Sequence, residues 1–137
     1  RFLVNGRPIA VSDIRVPLFV VGTETDHIAP WRSVYQIHLL NDSDLTFVLT
    51  SGGHNAGVVS PPGYPHRHFR IARRPVGDLY VGPDDWMARA TPRDGSWWPS
   101  WAEWLAAQGA EMVAPPPMGS KHFPARDKAP GRYVLEH

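Results

Sequence analysis

The chain contains no cysteine among its 137 residues. This absence excludes disulfides, thiolate metal sites and a thiol nucleophile supplied by the chain itself. The chain also has no apolar run near the roughly 20 residues that a membrane-spanning helix needs. Basic and acidic residues number 14 and 13, so the net charge of +1 gives no electrostatic reason to expect nucleic acid or an anionic membrane as a partner. We therefore expect a soluble, cytoplasmic protein.

Proline is scarce in the first part of the chain, because only three of the 15 prolines precede residue 60. This uneven distribution predicts two parts: residues 1–60 with regular secondary structure, and a Pro/Trp-rich extension over residues 61–134 that packs on them. The chain begins without methionine and ends in Leu-Glu-His. We expect residues 135–137 to be the remnant of a purification tag.

The first 60 residues contain four segments with clear structural patterns. Asn5-Gly6 between apolar residues predicts a β-hairpin, because both turn positions tolerate positive φ. Residues 16–21 and 45–50 are apolar and rich in strand-forming residues, as buried parallel strands are. Between them, residues 30–40 have apolar positions at helical spacing and a proline suited to the first turn. The order strand, helix, strand predicts an α/β fold with parallel strands.

Tryptophan and arginine mark the predicted extension. The sequence favours a short helix capped by Asp84 and an aromatic-rich helix from near Ser100 to Gly109. We interpret the tryptophans as packing residues, with exposed contact to a partner or another surface as the functional alternative. We interpret the basic cluster within residues 66–74 as an exposed, solvated face, with binding of phosphates as its alternative.

Two candidate catalytic residues follow the two predicted parallel strands. Asp26 lies in the turn after the first strand and His54 lies in the loop after the second. Because the carboxyl ends of parallel strands meet at one edge of a sheet, we expect the two side chains to lie close together. A carboxylate that binds one imidazole nitrogen leaves the other free to remove a proton from a nucleophile. The alternative is that Asp26 caps the following helix and His54 is an ordinary loop residue, and spacing alone leaves both open.

The sequence resembles a known family in several separated motifs. These are GTETDHIAPW at 22–31, SGGHNAG at 51–57, GSWWPSW at 95–101 and APGRYV at 129–134. In these motifs the chain is similar to the C-terminal part of polyhydroxyalkanoate synthases, class I-like. The resemblance implies part of an α/β-hydrolase fold and an acyltransferase that polymerises (R)-3-hydroxyacyl-CoA into polyester with release of CoA.

The resemblance also implies roles for particular residues. The family uses a Cys–His–Asp triad, whose acid falls on Asp26 and whose histidine falls on His54. The cysteine lies upstream in the family and is absent here, so we expect the isolated chain to be inactive and the upstream part of the same protein to supply it. Trp31, His27 and Asn55 are candidate substrate-binding residues, each with a structural alternative of packing or loop geometry.

Further expectations concern cofactors, partners and location. We expect no cofactor, because the substrate is itself a CoA thioester, and no metal, because the histidine spacing matches no zinc pattern. The resemblance implies a homo-oligomer at the surface of polyester granules in the cytoplasm. The histidine motif has two glycines before His54 where one is common in the family, which suggests a divergent subgroup.

Two other functions remain open from the sequence. The first is an esterase or depolymerase of the same fold, which an upstream Gly-x-Ser-x-Gly motif would favour over Gly-x-Cys-x-Gly. The second is a non-catalytic module in which the Trp-rich region binds a partner. A truncated sheet would also expose an edge strand, which favours self-association.

Overall fold

A β-hairpin opens the chain in the computed structural model, which describes residues 2–109 and 111–136. Strands β1 (Phe2–Val4) and β2 (Arg7–Ile9) pair antiparallel around the predicted Asn5-Gly6 turn. The φ angles of these two turn residues are 49° and 74°, which is the combination that a tight hairpin of this kind requires. The predicted hairpin is confirmed.

A four-stranded mixed sheet forms the centre of the molecule. Its strands are β3 (Leu18–Thr23), β4 (Leu45–Thr50), β5 (His68–Arg74) and β6 (Thr91–Asp94), in that spatial order. Strands β3 and β4 are parallel, whereas β5 and β6 add to the sheet antiparallel. The predicted parallel pair is confirmed, although the first strand lies two residues later than the predicted residues 16–21, and the mixed sheet with helices is compatible with the α/β class. Strands β5 and β6 are additions that the sequence patterns did not indicate.

The crossover between β3 and β4 is helical but interrupted. It consists of α1 (Trp31–Tyr35) and α2 (Ile37–Leu40) instead of the single predicted helix. The backbone N–H of Gln36 donates to the carbonyl of Ser33, and that of Leu39 donates to Gln36. Both hydrogen bonds span three residues, so the chain tightens at Gln36 and the helix is divided there.

Two further helices begin with a proline in their first turn. They are α3 (Pro83–Arg89) and α4 (Trp98–Gln108). The predicted caps Asp84 and Ser100 are wrong, because both lie inside the helices, which start after Gly82 and Trp97. Proline lacks one of the N–H groups that the first turn of a helix leaves without a partner, so it suits this position. Helix α4 ends before Gly109, as predicted.

The sheet joins the two sides of the boundary predicted at residue 60, because β4 pairs with β5. Residues 111–130 are all exposed, and a 3-10 helix (Tyr133–Leu135) follows them. The division into domains stays a prediction. Of the predicted tag remnant, His137 lies outside the described residues.

Among the described residues, no helix has the length and apolar character to cross a membrane.

Strand β4 is the centre of the core, since all six of its residues are buried. Side chains of Phe47 and Leu49 pack on one face with Tyr35 and Trp86, and Val48 packs on the other face with Trp97. The packing interpretation of the tryptophans is confirmed for Trp86 and Trp97, each 6% exposed. Trp101 on α4 is 41% exposed and only borders this core.

Two arginines of the basic cluster hold secondary-structure elements together. Arg74 donates to the carbonyls of His38 and Asn41 at the end of α2, and Arg70 donates to the carbonyl of Ala90. Each of these arginines is partly buried. The prediction of an exposed, solvated face is therefore wrong for these two residues, because their guanidinium groups satisfy backbone carbonyls.

Replacing Trp86 by alanine should lower the free energy of unfolding by about 3–5 kcal/mol, because it leaves a cavity against Phe47 and Tyr35. The matched control, Trp101→Ala, should cost about 1 kcal/mol or less, since that side chain is 41% exposed. Urea denaturation followed by circular dichroism measures both. Equal losses would contradict this description of the core.

Candidate active site

Parallel pairing places the ends of β3 and β4 side by side. Thr23 is in register with Thr50, and the backbone ladder continues beyond both strands. The N–H of Glu24 donates to the carbonyl of Thr50 at 2.9 Å, and that of Thr25 donates to the carbonyl of Gly52 at 3.1 Å. The turn after β3 and the loop after β4 are therefore fixed to each other by their backbones. We call residues 51–60 the histidine loop.

Asp26 is held by four hydrogen-bond donors. Its Oδ1 accepts from the backbone N–H groups of Ile28 and Ala29, both at 2.9 Å. Its Oδ2 accepts from Thr23 Oγ1 at 3.2 Å and lies 2.9 Å from His54 Nδ1. The side chain is only 7% exposed. The N–H of Ala29 first, and then His54 and the N–H of Ile28, hold the pKa of the Asp26 carboxyl well below its usual range.

The imidazole of His54 is oriented by this carboxylate. An ionised Asp26 can only accept, so His54 Nδ1 carries the proton of their hydrogen bond and Nε2 has the free lone pair. The His54 side chain is 44% exposed, and Nε2 makes no hydrogen bond within the part of the chain that the structure describes. This arrangement can accept a proton from a group placed beside Nε2.

Asp26 also fulfils part of the structural alternative. It closes the turn at Ile28 and Ala29 through its Oδ1, while helix α1 begins after Pro30 without a side-chain cap. One carboxylate oxygen therefore serves the local turn and the other serves His54. The alternative that Asp26 caps the following helix is therefore wrong, and the catalytic role of Asp26 and His54 stays a prediction.

Glycines allow the histidine loop its close approach to β3. Gly52 has a φ of 101°, which favours glycine strongly. A Cβ at Gly57 would lie 2.5 Å from Thr23 Cγ2, whereas a Cβ at Gly53 would meet nothing closer than 3.7 Å. The loop is tightened further by the N–H of Gly57, which donates to the carbonyl of Gly53 at 2.8 Å.

Two tryptophans fix the far side of the same loop. Trp97 Nε1 donates to the carbonyl of Gly57 at 3.2 Å, and Trp98 Nε1 donates to the carbonyl of Val58 at 3.0 Å. The sequence shows that the two tryptophans are adjacent, but it does not indicate that they bind backbone carbonyls of the histidine loop. Both indoles are therefore supports of the loop that carries His54.

A second imidazole–carboxylate pair crosses the end of β4. His68 Nε2, at the start of β5, lies 3.1 Å from Glu24 Oε2. The N–H of His68 also donates to Ser51 Oγ at 3.2 Å, and the N–H of Ser51 donates to the carbonyl of His68. This pair was not predicted, because nothing in the spacing of Glu24 and His68 indicates that β5 lies beside β4.

The three candidate substrate-binding residues occupy different surroundings. Trp31 is half-buried, with its ring 6.1 Å from that of Tyr35 and 6.3 Å from that of Trp86, which favours its packing alternative. His27 and Asn55 are exposed and flank Asp26 and His54 in sequence. Contact of these three residues with a substrate stays a prediction. Among the described residues, no three histidine, aspartate or glutamate side chains cluster as a metal site would require.

Replacing Gly57 by alanine should displace the histidine loop, because the new methyl group would overlap Thr23. We expect this variant to lose the low-field proton signal of the His54 Nδ1–Asp26 hydrogen bond in nuclear magnetic resonance (NMR) spectra. The matched variant Gly53→Ala should keep the signal, since its methyl group meets only ordinary contacts. Loss of the signal in both variants, or in neither, would contradict the role assigned to Gly57.

Replacing Asp26 by asparagine should lower the melting temperature at neutral pH. The side-chain NH₂ group of asparagine cannot accept, so some of the four hydrogen bonds to Asp26 would be lost. The carboxyl has a lower pKa folded than unfolded, so its stabilisation is present above the unfolded value of about 4 and is lost as the pH falls below it. The difference from the parent should therefore shrink on acidification. Exposed Asp42→Asn is the control, and thermal unfolding at several pH values is the measurement. A difference that stays constant down to acid pH would contradict the ionised state of Asp26.

Comparisons with known proteins extend over nearly the whole chain, although no family model matches it. The poly(3-hydroxyalkanoate) polymerase subunit PhaC of Cupriavidus necator is 40% identical over 136 residues, which are 98% of this chain and 22% of the relative. Poly(3-hydroxyalkanoate) polymerase 2 of Ectopseudomonas oleovorans is 36% identical over 133 residues, covering 96% of this chain and 23% of the relative.

A third relative shows the same relation. The poly(3-hydroxyalkanoate) polymerase of Methylorubrum extorquens is 39% identical over 125 residues, which cover 90% of this chain and 20% of the relative. The chain thus spans about a fifth of the length of the curated relatives it matches. It is homologous to a segment of the poly(3-hydroxyalkanoate) polymerases.

Proposed function

We propose that this chain provides the acid and the general base of a Cys–His–Asp triad in a polyhydroxyalkanoate synthase, an acyltransferase of the α/β-hydrolase fold. The observation that carries the proposal is the 2.9 Å contact between Asp26 Oδ2 and His54 Nδ1. Both residues stand at one edge of a parallel strand pair, in the order acid then histidine that this fold uses. The homology to named polymerases supplies the substrate class.

In the first step, His54 Nε2 would take the proton from a cysteine thiol in the remainder of the polypeptide. The resulting thiolate attacks the carbonyl carbon of a 3-hydroxyacyl-CoA thioester. The bond from that carbon to the CoA sulfur breaks, and CoA leaves with the proton that His54 returns. The product is an acyl-enzyme. The His54 side chain, which carries Nε2, is 44% exposed.

In the second step, His54 would take the proton from the 3-hydroxyl of a bound acyl unit. The hydroxyl oxygen then attacks the carbonyl carbon of the next thioester, so an ester bond forms and the bond from that carbon to the CoA sulfur breaks. His54 returns the proton to the leaving sulfur, and CoA is released as the thiol. Asp26 does not change its protonation state. With its pKa held low, it remains ionised and stabilises the imidazolium that forms on His54 in each step.

The mixed sheet supports placement within a larger fold. Strand β3 pairs with β4 on one side only, so its other edge is open to a further strand within the described part of the chain. This strand is apolar and half-buried, as a strand within a larger sheet is before its neighbour is added. The remainder of the polymerase would add to this edge and bring its cysteine to Nε2. Assembly into homo-oligomers and location at granule surfaces in the cytoplasm belong to the same proposal.

The test replaces His54 by glutamine in a full-length polymerase that contains this segment, with CoA release from 3-hydroxybutyryl-CoA as the readout. We expect activity to fall by about 10³-fold or more, because the thiol loses its base. The control is His122→Gln, an exposed histidine in residues 111–130, which should keep activity. Retained polymerisation in His54→Gln would overturn the proposal, and ester hydrolysis without polymer from the unaltered enzyme would favour an esterase or depolymerase.

A further inference from the structure

One buried threonine touches both sides of the contact between Asp26 and His54. Thr23 is the last residue of β3 and is 3% exposed. Its hydroxyl donates to Asp26 Oδ2 at 3.2 Å. Its methyl carbon, Cγ2, lies so close to Gly57 of the histidine loop that a Cβ there would be 2.5 Å from it. Thr23 thus contacts the turn that carries the carboxylate and the loop that carries the imidazole.

The oxygen that the Thr23 hydroxyl binds is the one that His54 uses. Asp26 Oδ2 lies 2.9 Å from His54 Nδ1. The other oxygen, Oδ1, accepts from the backbone N–H groups of Ile28 and Ala29 and already fixes the orientation of the carboxylate. The hydroxyl of Thr23 therefore acts mainly on the charge of Oδ2, since each donor to a carboxylate oxygen reduces its attraction for the next.

The neighbouring strand has a threonine that lacks this contact. Thr50 is in register with Thr23 at the end of β4 and is fully buried. Its Oγ1 makes no hydrogen bond within the part of the chain that the structure describes. Since a buried hydroxyl without a partner is costly, removal of the Thr50 hydroxyl should be neutral or stabilising. Thr50 is therefore a matched control for the hydroxyl of Thr23.

We propose that Thr23 is a positioning residue that sets the basicity of His54 through Asp26. By donating to Oδ2, the hydroxyl weakens the attraction of the carboxylate for the imidazolium form of His54. The imidazole therefore stays neutral over a wider pH range and keeps the Nε2 lone pair with which it accepts a proton. This role rests on the proposed function, because the basicity of His54 matters for catalysis only where His54 acts as a general base.

Substitution of Thr23 leaves the other charged groups of the surrounding elements in place. They are Glu24 and His27 in the same turn, Arg67 just before β5, and His68 at its start. Glu24 is bound to His68, and Arg67 Nη1 lies 3.5 Å from the carbonyl of Ser51. The histidine loop contains no titratable side chain besides His54. A difference between variants of Thr23 is therefore due to the hydroxyl or to the methyl group.

The first test removes either the hydroxyl or the methyl group of Thr23. Thr23→Val keeps the shape of the side chain without the donor, whereas Thr23→Ser keeps the donor without the methyl group. We expect Thr23→Val to move the NMR signal of His54 Nδ1–H to lower field, because Oδ2 becomes the stronger acceptor. Thr23→Ser and the control Thr50→Val should leave the signal in place. An unmoved or lost signal in Thr23→Val, or the same shift in Thr23→Ser, would overturn the proposal.

The second test follows the pH dependence of kcat/KM for CoA release in a full-length polymerase that contains this segment. Thr23→Val should shift the acid limb to higher pH by about half a unit, because more of His54 is held as imidazolium. Thr23→Ser should restore the parent profile. An unshifted acid limb, or a uniform loss of activity at every pH, would overturn the proposal. If His54→Gln is as active as the parent, the proposed function fails, and the NMR signals still decide whether Thr23 weakens the contact between Asp26 and His54.

Discussion

The parallel register of β3 and β4 is the constraint on which the candidate site depends. Thr23 beside Thr50 sets the starting points of two loops, and two further backbone hydrogen bonds carry the pairing into them. A shift by one residue would turn Phe47 and Val48 to the wrong faces of the sheet, so burial of β4 fixes the register strongly. Packing at the centre of the sheet therefore determines where Asp26 and His54 lie.

Asp26 and His54 are held in place by different kinds of contact. Asp26 is fixed mainly by backbone N–H groups of its own turn, which do not depend on side-chain identity. His54 is fixed by Asp26 and by a loop that depends on Gly57 and on the indoles of Trp97 and Trp98. The position of the Asp26 carboxylate therefore depends mainly on residues next to it in the sequence. The position of the His54 imidazole depends on residues that are distant in the sequence.

The difference between local and distant contacts also explains what the sequence could predict. The Asn5-Gly6 turn, strand β4 and the approach of Asp26 to His54 follow from short patterns and from the rule for parallel strands. Strand β5 was not predicted, because its arginines conceal the alternation of Phe69 and Ile71 on one face. Contacts between neighbouring strands can be predicted only when the strand order is known, and no local sequence pattern contains that order.

The chain between β4 and β5 contains two regions with different tolerance for length variation. From Ser51 to Val58 the backbone is bound at β5, within the loop and at α4, so an added residue there would displace the imidazole. Around Gly63 the chain is exposed and a side chain would meet nothing within 4 Å. The chain can therefore gain or lose residues around position 63 while the geometry of Asp26 and His54 stays the same.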